Sequence, residues 1–239
     1  QLNERSMNRS GIYYWAGPGT ERMIRLKYPK AKVDCDSLMR AYDLDLLEQS
    51  KKKLLTTDAW VTFSWGFSVE TEKSDYEFVK RKLGNFERLG IKTHGYIQGT
   101  NLVFDEHKNE NFFCTNYRGQ LVPYHRGRKL VCPNNPNFKG YIRRKIELGL
   151  KESFGGIFID NVFMGLMPLV TGNRVVGFGC YCEYCQKRFK REVGVRIPVS
   201  YRIGEPRLVE IAKFRKRGLI EFIEKLAGMV KPTGKEFGV

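Results

Sequence analysis

Three histidines, six cysteines and no long apolar run limit the chemistry open to this 239-residue chain. No apolar stretch approaches the roughly 18 residues of a membrane span, so no membrane partner is expected. The first ten residues are polar and hold no apolar h-region, so no secretory signal is read there, which favours a cytoplasmic location. Neither a Walker-type loop nor a dinucleotide glycine pattern follows any predicted strand, which leaves phosphate-loop chemistry without a motif. His94 has no Ser or Cys at a recognisable spacing, and a nucleophilic triad is unsupported. There is no internal repeat and no low-complexity segment. With 41% apolar and 13% aromatic residues, the composition excludes collagen-like, coiled-coil and disordered chains.

The one unusual quantity is charge: 42 Lys+Arg stand against 26 Asp+Glu, a formal net charge of +16. Such a balance suits phosphate contacts in nucleic-acid binding. Here the basic residues are spread along the chain, densest at 51–53, 126–129, 143–145, 187–191 and 213–217. Most of these stretches have helical periodicity, where Lys and Arg form a solvated face. No nucleic-acid module is spelled out, so nucleic acid is not the favoured partner despite the +16.

The pattern alternates strand and helix. Residues 11–17, 59–65, 91–98 and 155–161 read as strands, β-branched and aromatic and bounded by glycine. Residues 43–55, 74–89, 137–153 and 206–230 read as helices, and 237–239 start a further strand. Ser74 and Glu77 have capping-box spacing at the head of the second helix. Long segments at 99–135 and 162–185 read as loops on the side of the strand C-termini. Alternating strands and helices predict parallel pairing, and long loops at strand C-termini are the habit of a (β/α)8 TIM-type barrel. Only four complete units precede residue 239. The expectation is therefore one domain over 1–239 that forms the N-terminal half of a barrel, closed by a missing C-terminal half or by a second copy.

The sharpest local motif is Cys180-x-Cys182-x-x-Cys185, three thiols that can converge on one tetrahedral Zn(II). A closed site needs a fourth ligand, with Cys132, Cys114 and Cys35 as candidates; Cys132 is best placed, on the segment leading to the same strand as the triplet. Four thiolates leave no open position, so such a zinc is structural. Reduced buried thiols and a disulfide are the competing readings.

Asp160 ends the apolar run Ile157–Ile159 and precedes Asn161. A carboxylate at the C-terminal end of a barrel strand points into the active-site mouth, and glycoside hydrolysis uses such carboxylates, generally in pairs. The alternative is that Asp160 caps a turn. Glu70, Glu72, Asp105 and Glu106 follow the second and third strands, each read first as a surface charge. Aromatics at the strand ends (Tyr14, Trp15, Trp65, Tyr96, Phe163) suit stacking on pyranose faces, though such residues also fill cores. His94, Gln98, Arg128 and Asn161 are candidates for hydrogen bonds to sugar hydroxyls.

The run Arg126 to Phe138 with Cys132-Pro133-Asn134-Asn135-Pro136, the pair Asp160–Asn161, and the triplet followed by Gln186, Lys187, Arg188 and Phe189 resemble the catalytic barrel of family 42 β-galactosidases. They also resemble uncharacterised glycoside hydrolases related to it. The resemblance covers about a third of the chain. It implies a structural zinc on Cys132, Cys180, Cys182 and Cys185. The galactosidases place their acid/base Glu directly after the Asp–Asn pair, where this sequence has Val162, and their nucleophile lies on a later strand that this chain lacks. The resemblance therefore implies a carbohydrate-acting hydrolase of O-glycosyl bonds in which Asp160 itself is the catalytic carboxylate. Two rivals stand beside it: a catalytically inactive carbohydrate-binding barrel, and a basic zinc-stabilised nucleic-acid-binding protein.

Overall fold

The computed structural model describes residues 9–239. The first half of the chain runs β1 (Gly11–Tyr14), α1 (Pro18–Lys27), α2 (Cys35–Arg40), α3 (Leu44–Leu54), β2 (Asp58–Ser64), α4 (Lys73–Arg88) and β3 (Lys92–Gln98). Next come β4 (Asn101–Val103), β5 (Pro123–His125), β6 (Arg128–Leu130), α5 (Pro136–Leu150) and β7 (Gly156–Asp160). The chain ends with β8 (Leu169–Thr171), β9 (Arg174–Val176), α6 (Glu183–Val193), β10 (Ser200–Arg202), α7 (Pro206–Val230) and β11 (Glu236–Gly238). The described residues divide into two compact units, the first of residues 9–98, 145–160 and 229–239, the second of 99–144 and 161–228.

The first unit is built on a five-stranded parallel sheet in the order β1-β2-β3-β7-β11. Sequential parallel order requires a crossover after each strand, which is the α/β arrangement the alternating pattern predicts. The two faces follow from the period of two. Tyr14, Ala59, Val61 and Ile159 share the helix-covered face; there α4 buries Tyr76, Val79, Leu83 and Phe86 at helical spacing.

On the other face Tyr13, Trp60, His94, Gly156 and Glu236 lie side by side. That face curls strongly. In a flat sheet β1 and β7 stand three strand spacings apart, roughly 14 Å, yet the Tyr13 and Phe158 ring centroids are 6.0 Å apart. The edges also meet: Arg9, just before β1, reaches Glu236 on β11 at 3.3 Å. The concave face fills with aromatic rings, each contributing about 1.5–3 kcal/mol when fully buried. Gly156 is required by this curl, because a Cβ there would stand 2.5 Å from His94 Nδ1 and 2.8 Å from the Glu236 carbonyl.

The capping box expected at Ser74 and Glu77 does not form. α4 starts at Lys73, Glu72 occupies the N-cap position without capping, and Ser74 approaches Asp75 instead. The reason is that Glu72 is buried and fully engaged. It accepts hydrogen bonds from the Trp65 and Phe67 amides (2.7 and 3.2 Å), Ser64 Oγ (2.6 Å) and Tyr76 Oη (2.8 Å), and from the buried Lys145 ammonium (2.6 Å). A lone buried carboxylate would be costly; a fully bonded one fixes its neighbours. The structure thus buries Glu72, expected at the surface, and uses it to hold the β2 terminus carrying Trp65.

The second unit contains two small antiparallel sheets, β4-β6-β5 and β10-β9-β8, in the segments read as loops. Their strands are three residues long, too short for periodicity to register. Its core gathers Cys114, Cys132, Cys180, Cys182 and Cys185 with Met164, Phe189, Ile197, Tyr201, Ile211 and Phe214. Among the described residues, no helix is long and apolar enough to cross a membrane.

Candidate carbohydrate site and metal centre

Asp160 is the last residue of β7, in register with Gln98 at the end of β3 and on the concave face shared by Phe158 and Tyr96. Its Oδ2 accepts a short hydrogen bond from the phenol of Tyr96, which is itself fully buried. Gln98 is buried beside it. Tyr96 packs against Trp65 (5.4 Å) and Trp15 (6.3 Å), and Trp15 against Trp65 (5.7 Å). The Trp65 indole N–H donates to Thr20 Oγ1 (3.1 Å), so that ring is anchored at both its backbone and its tip. Two rings remain open to solvent: Trp15 is 52% exposed and Tyr13 49%. Burial raises the Tyr13 phenol pKa, and the Asp160 charge raises it further, so that ring lies within the field of the carboxylate.

The arrangement is a carboxylate oriented by a tyrosine at the foot of two exposed aromatic faces. Such a surface can stack the apolar face of a sugar ring beside a carboxylate.

The sequence candidates divide. Trp15, Trp65, Tyr96, Gln98 and Asp160 come together. Tyr96 lies beneath the surface as the hydrogen-bond donor to Asp160. Tyr14 points to the helix side, against Tyr42 (5.7 Å) and Phe86 (5.3 Å). Strand parity explains this, because Trp15 on the concave face takes Tyr13 with it and excludes Tyr14. His94 sits four residues before Gln98, buried, 3.0 Å from Asp58 and stacked on Trp60. Glu236 and Asp58 share the concave face, but four and six strand residues below Asp160, roughly 13–20 Å away. Paired glycosidase carboxylates stand within roughly 5–9.5 Å. The described strands of this sheet therefore give Asp160 no carboxylate mate.

In the second unit Asn161 adopts the left-handed conformation (φ 56°), tolerated by Asn, and its side chain accepts from Tyr124 Oη at 3.0 Å. Arg128 is buried and donates to the Asn101 carbonyl at 2.6 Å, beneath the surface.

The second unit also holds the thiols. The Sγ atoms of Cys132, Cys180, Cys182 and Cys185 all lie within 4.8 Å of one another, and all four residues are buried. Zn–S bonds of about 2.3 Å in a tetrahedron imply S···S edges of about 3.8 Å; Cys132 and Cys185 are already at 3.4 Å. The donor set and spacing fit one mononuclear metal ion. All six cysteines are free, Cys35 lies in the other unit, and Cys114 packs beside the four.

Cys180 is held well below the ordinary thiol range, because Cys114 and then Cys132, Cys182 and Cys185 donate to it; Cys132 and Cys185 are pushed up. Asn134 donates to Cys185 Sγ (3.3 Å). Arg215 stands in the field of Cys114, Cys180 and Cys185, bonded to the Leu166 carbonyl (2.7 Å) and laid over Phe178. It supplies positive charge next to a thiolate centre.

No family model matches the sequence, and no curated protein matches it. Solved structures match by fold. α-L-Fucosidase isoenzyme 2 from Paenibacillus thiaminolyticus aligns over 93% of this chain with a TM-score of 0.55 and 13% identity. This chain spans only 31% of that enzyme. A hypothetical protein from Ruminiclostridium thermocellum aligns over 96% of this chain and 95% of its own, with a TM-score of 0.51 and 12% identity. The GH36 α-galactosidase AgaA from Geobacillus stearothermophilus aligns over 98% of this chain and 28% of its own (TM-score 0.46, 11% identity). These likenesses are of fold alone, a mixed α/β chain built on a parallel sheet.

Proposed function

We propose that this protein acts on a carbohydrate glycosidic bond, with Asp160 as its catalytic carboxylate. The observation that carries this reading is the position of Asp160: at the C-terminal end of a parallel strand, on a curled aromatic face, at the foot of the exposed Tyr13 and Trp15 rings. The sheet is read as five strands of a (β/α)8-type barrel, with its reactive groups at the strand C-termini.

In the reaction the sugar stacks on Trp15 and Asp160 stabilises or traps the oxocarbenium-like centre; the leaving oxygen takes its proton from solvent water, and a water adds at the anomeric carbon and gives up a proton, releasing Asp160. The Tyr96 phenol fixes the carboxylate through Oδ2. Cys132, Cys180, Cys182 and Cys185 hold a structural zinc, which supplies folding energy to the second unit and leaves no open position for chemistry.

A second reading, carbohydrate binding without cleavage, is favoured by one observation: on the described strands of the sheet no second carboxylate stands within the roughly 5–9.5 Å of Asp160 that paired glycosidase carboxylates keep.

All three tryptophans (Trp15, Trp60, Trp65) lie in the first unit, so their fluorescence reports on the site. A binding sugar should perturb it saturably, and Trp15→Ala should weaken binding about tenfold. Asp160→Asn should keep the affinity within about threefold and abolish hydrolysis. Hydrolysis retained in Asp160→Asn refutes the assignment, and saturable binding with no hydrolysis by the unaltered protein establishes the second reading.

A further inference from the structure

The net charge is divided unevenly between the units. The second carries 21 Lys+Arg against 9 Asp+Glu, the rest of the chain 21 against 17. Within the second unit the excess has a defined place. α6 and α7 pack through Phe189 and Phe214 (5.2 Å) and are cross-linked by two ion pairs, Arg188–Glu221 and Arg217–Glu192, each 2.7 Å. These pairs engage Glu192 and Glu221, and leave Glu210 and Glu224 as the other acids of α7.

Around them Arg191 follows Arg188 by three residues, Lys213 precedes Arg217 by four, and Lys216 follows Lys213 by three, so each is a helical neighbour of a junction cation or of the next one along. These three side chains are exposed and have no acidic partner among the described residues. A second site of the same sign lies on β9 and β10, where Arg174 and Arg202 are direct cross-strand neighbours. Like charges opposite one another cost stability, and the unit retains them.

We propose that this cationic surface, centred on Arg191, Lys213 and Lys216, binds an acidic polysaccharide, a chain of uronate residues. The choice of polymer rests on the carbohydrate reading of Asp160; the existence of an anion-binding surface does not. Single-stranded nucleic acid is the poorer fit, because such sites interleave aromatic platforms with the cations. The exposed large hydrophobics of α6 and α7 are aliphatic: Val209 and Ile220.

The test is a titration of the full chain with polygalacturonate, neutral galactan and poly(U) at salt from about 50 to 200 mM. We expect polygalacturonate to bind most tightly, with log affinity falling linearly in log salt, and galactan to bind no more tightly for the surface being present. The charge-reversed variant Arg191→Glu/Lys213→Glu/Lys216→Glu should lose at least about tenfold in polygalacturonate affinity. Because the reversed side chains are exposed, the melting temperature should stay close to that of the unaltered protein. The neutral variant Arg191→Gln/Lys213→Gln/Lys216→Gln should show a smaller loss in the same direction. Unchanged affinity in both variants overturns the proposal, and poly(U) bound as tightly as polygalacturonate overturns the choice of polymer. Loss of hydrolysis in Asp160→Asn with polygalacturonate binding intact would bear on the catalytic reading alone.

Discussion

Asp58 shows how much a single buried charge can organise. It accepts two hydrogen bonds from Arg9 and one each from His94 and Thr57, so the carboxylates of a curled sheet are neutralised at the N-terminal ends of its strands. The Arg9 guanidinium, followed by His94 and Thr57, holds the Asp58 carboxyl well below the usual carboxylate range. A depressed carboxyl contributes stability that is present above its unfolded value, near 3.9, and is lost as pH falls through the folded one. Chemical denaturation between about pH 6 and pH 3 should therefore show stability falling below about pH 4. Asp58→Asn should be less stable at pH 6 and show a shallower fall; an unchanged slope would remove Asp58 from the acid response.

At the same scale, the strand-end position of Asp160 and the grouping of the cysteine triplet were readable from the chain because each is a short, self-contained signal. Tyr13 was overlooked in favour of Tyr14. Strand parity distinguishes them once Trp15 is placed on the open face. Glu72 and Lys145 gave no signal, because their burial depends on partners 73 residues apart in the chain.

Among the elements, the cysteine-bearing segments have the least secondary structure to support them. Cys180 and Cys182 precede α6, Cys185 is in its first turn, and Cys132 follows the three-residue β6. Short strands bury little, so closure by a metal carries much of their order. Protein purified without added metal should contain one zinc per chain. Chelation, or Cys185→Ser, should remove it and lower the melting temperature by about 10 °C. Metal-free protein with an unchanged melting temperature would contradict a structural role.

The strands β1, β2, β3 and β7 and the helices α3, α4, α5 and α7 were visible in the sequence through their periodicity, whereas α1 and α2 were not read. β4 to β6 and β8 to β10 were not, since three residues hold barely one period. The start of α4 was misplaced because Glu72 is drawn to Lys145 and to backbone amides rather than to a cap.

For the molecule as a whole, sequence order foretold parallel strands, and β1, β2, β3, β7 and β11 pair in that order. The curl of the sheet suits the barrel expectation, but the contacts that make it could not be read. It arises when Tyr13, Trp60, Tyr96 and Phe158 meet on one face and Arg9 spans to Glu236, contacts between residues up to 227 positions apart. The division of charge between the units was hidden for a similar reason, because the second unit is assembled from two separate stretches of chain.

The most direct test of a carbohydrate-acting site built around Asp160 is reducing-sugar release from a glycoside panel by the unaltered protein and by Asp160→Asn, measured side by side. Release by the former, falling at least about a thousandfold in the latter while sugar still perturbs tryptophan fluorescence, is the expected result. Equal release by both proteins, or no binding and no release from any glycoside by either, would contradict it.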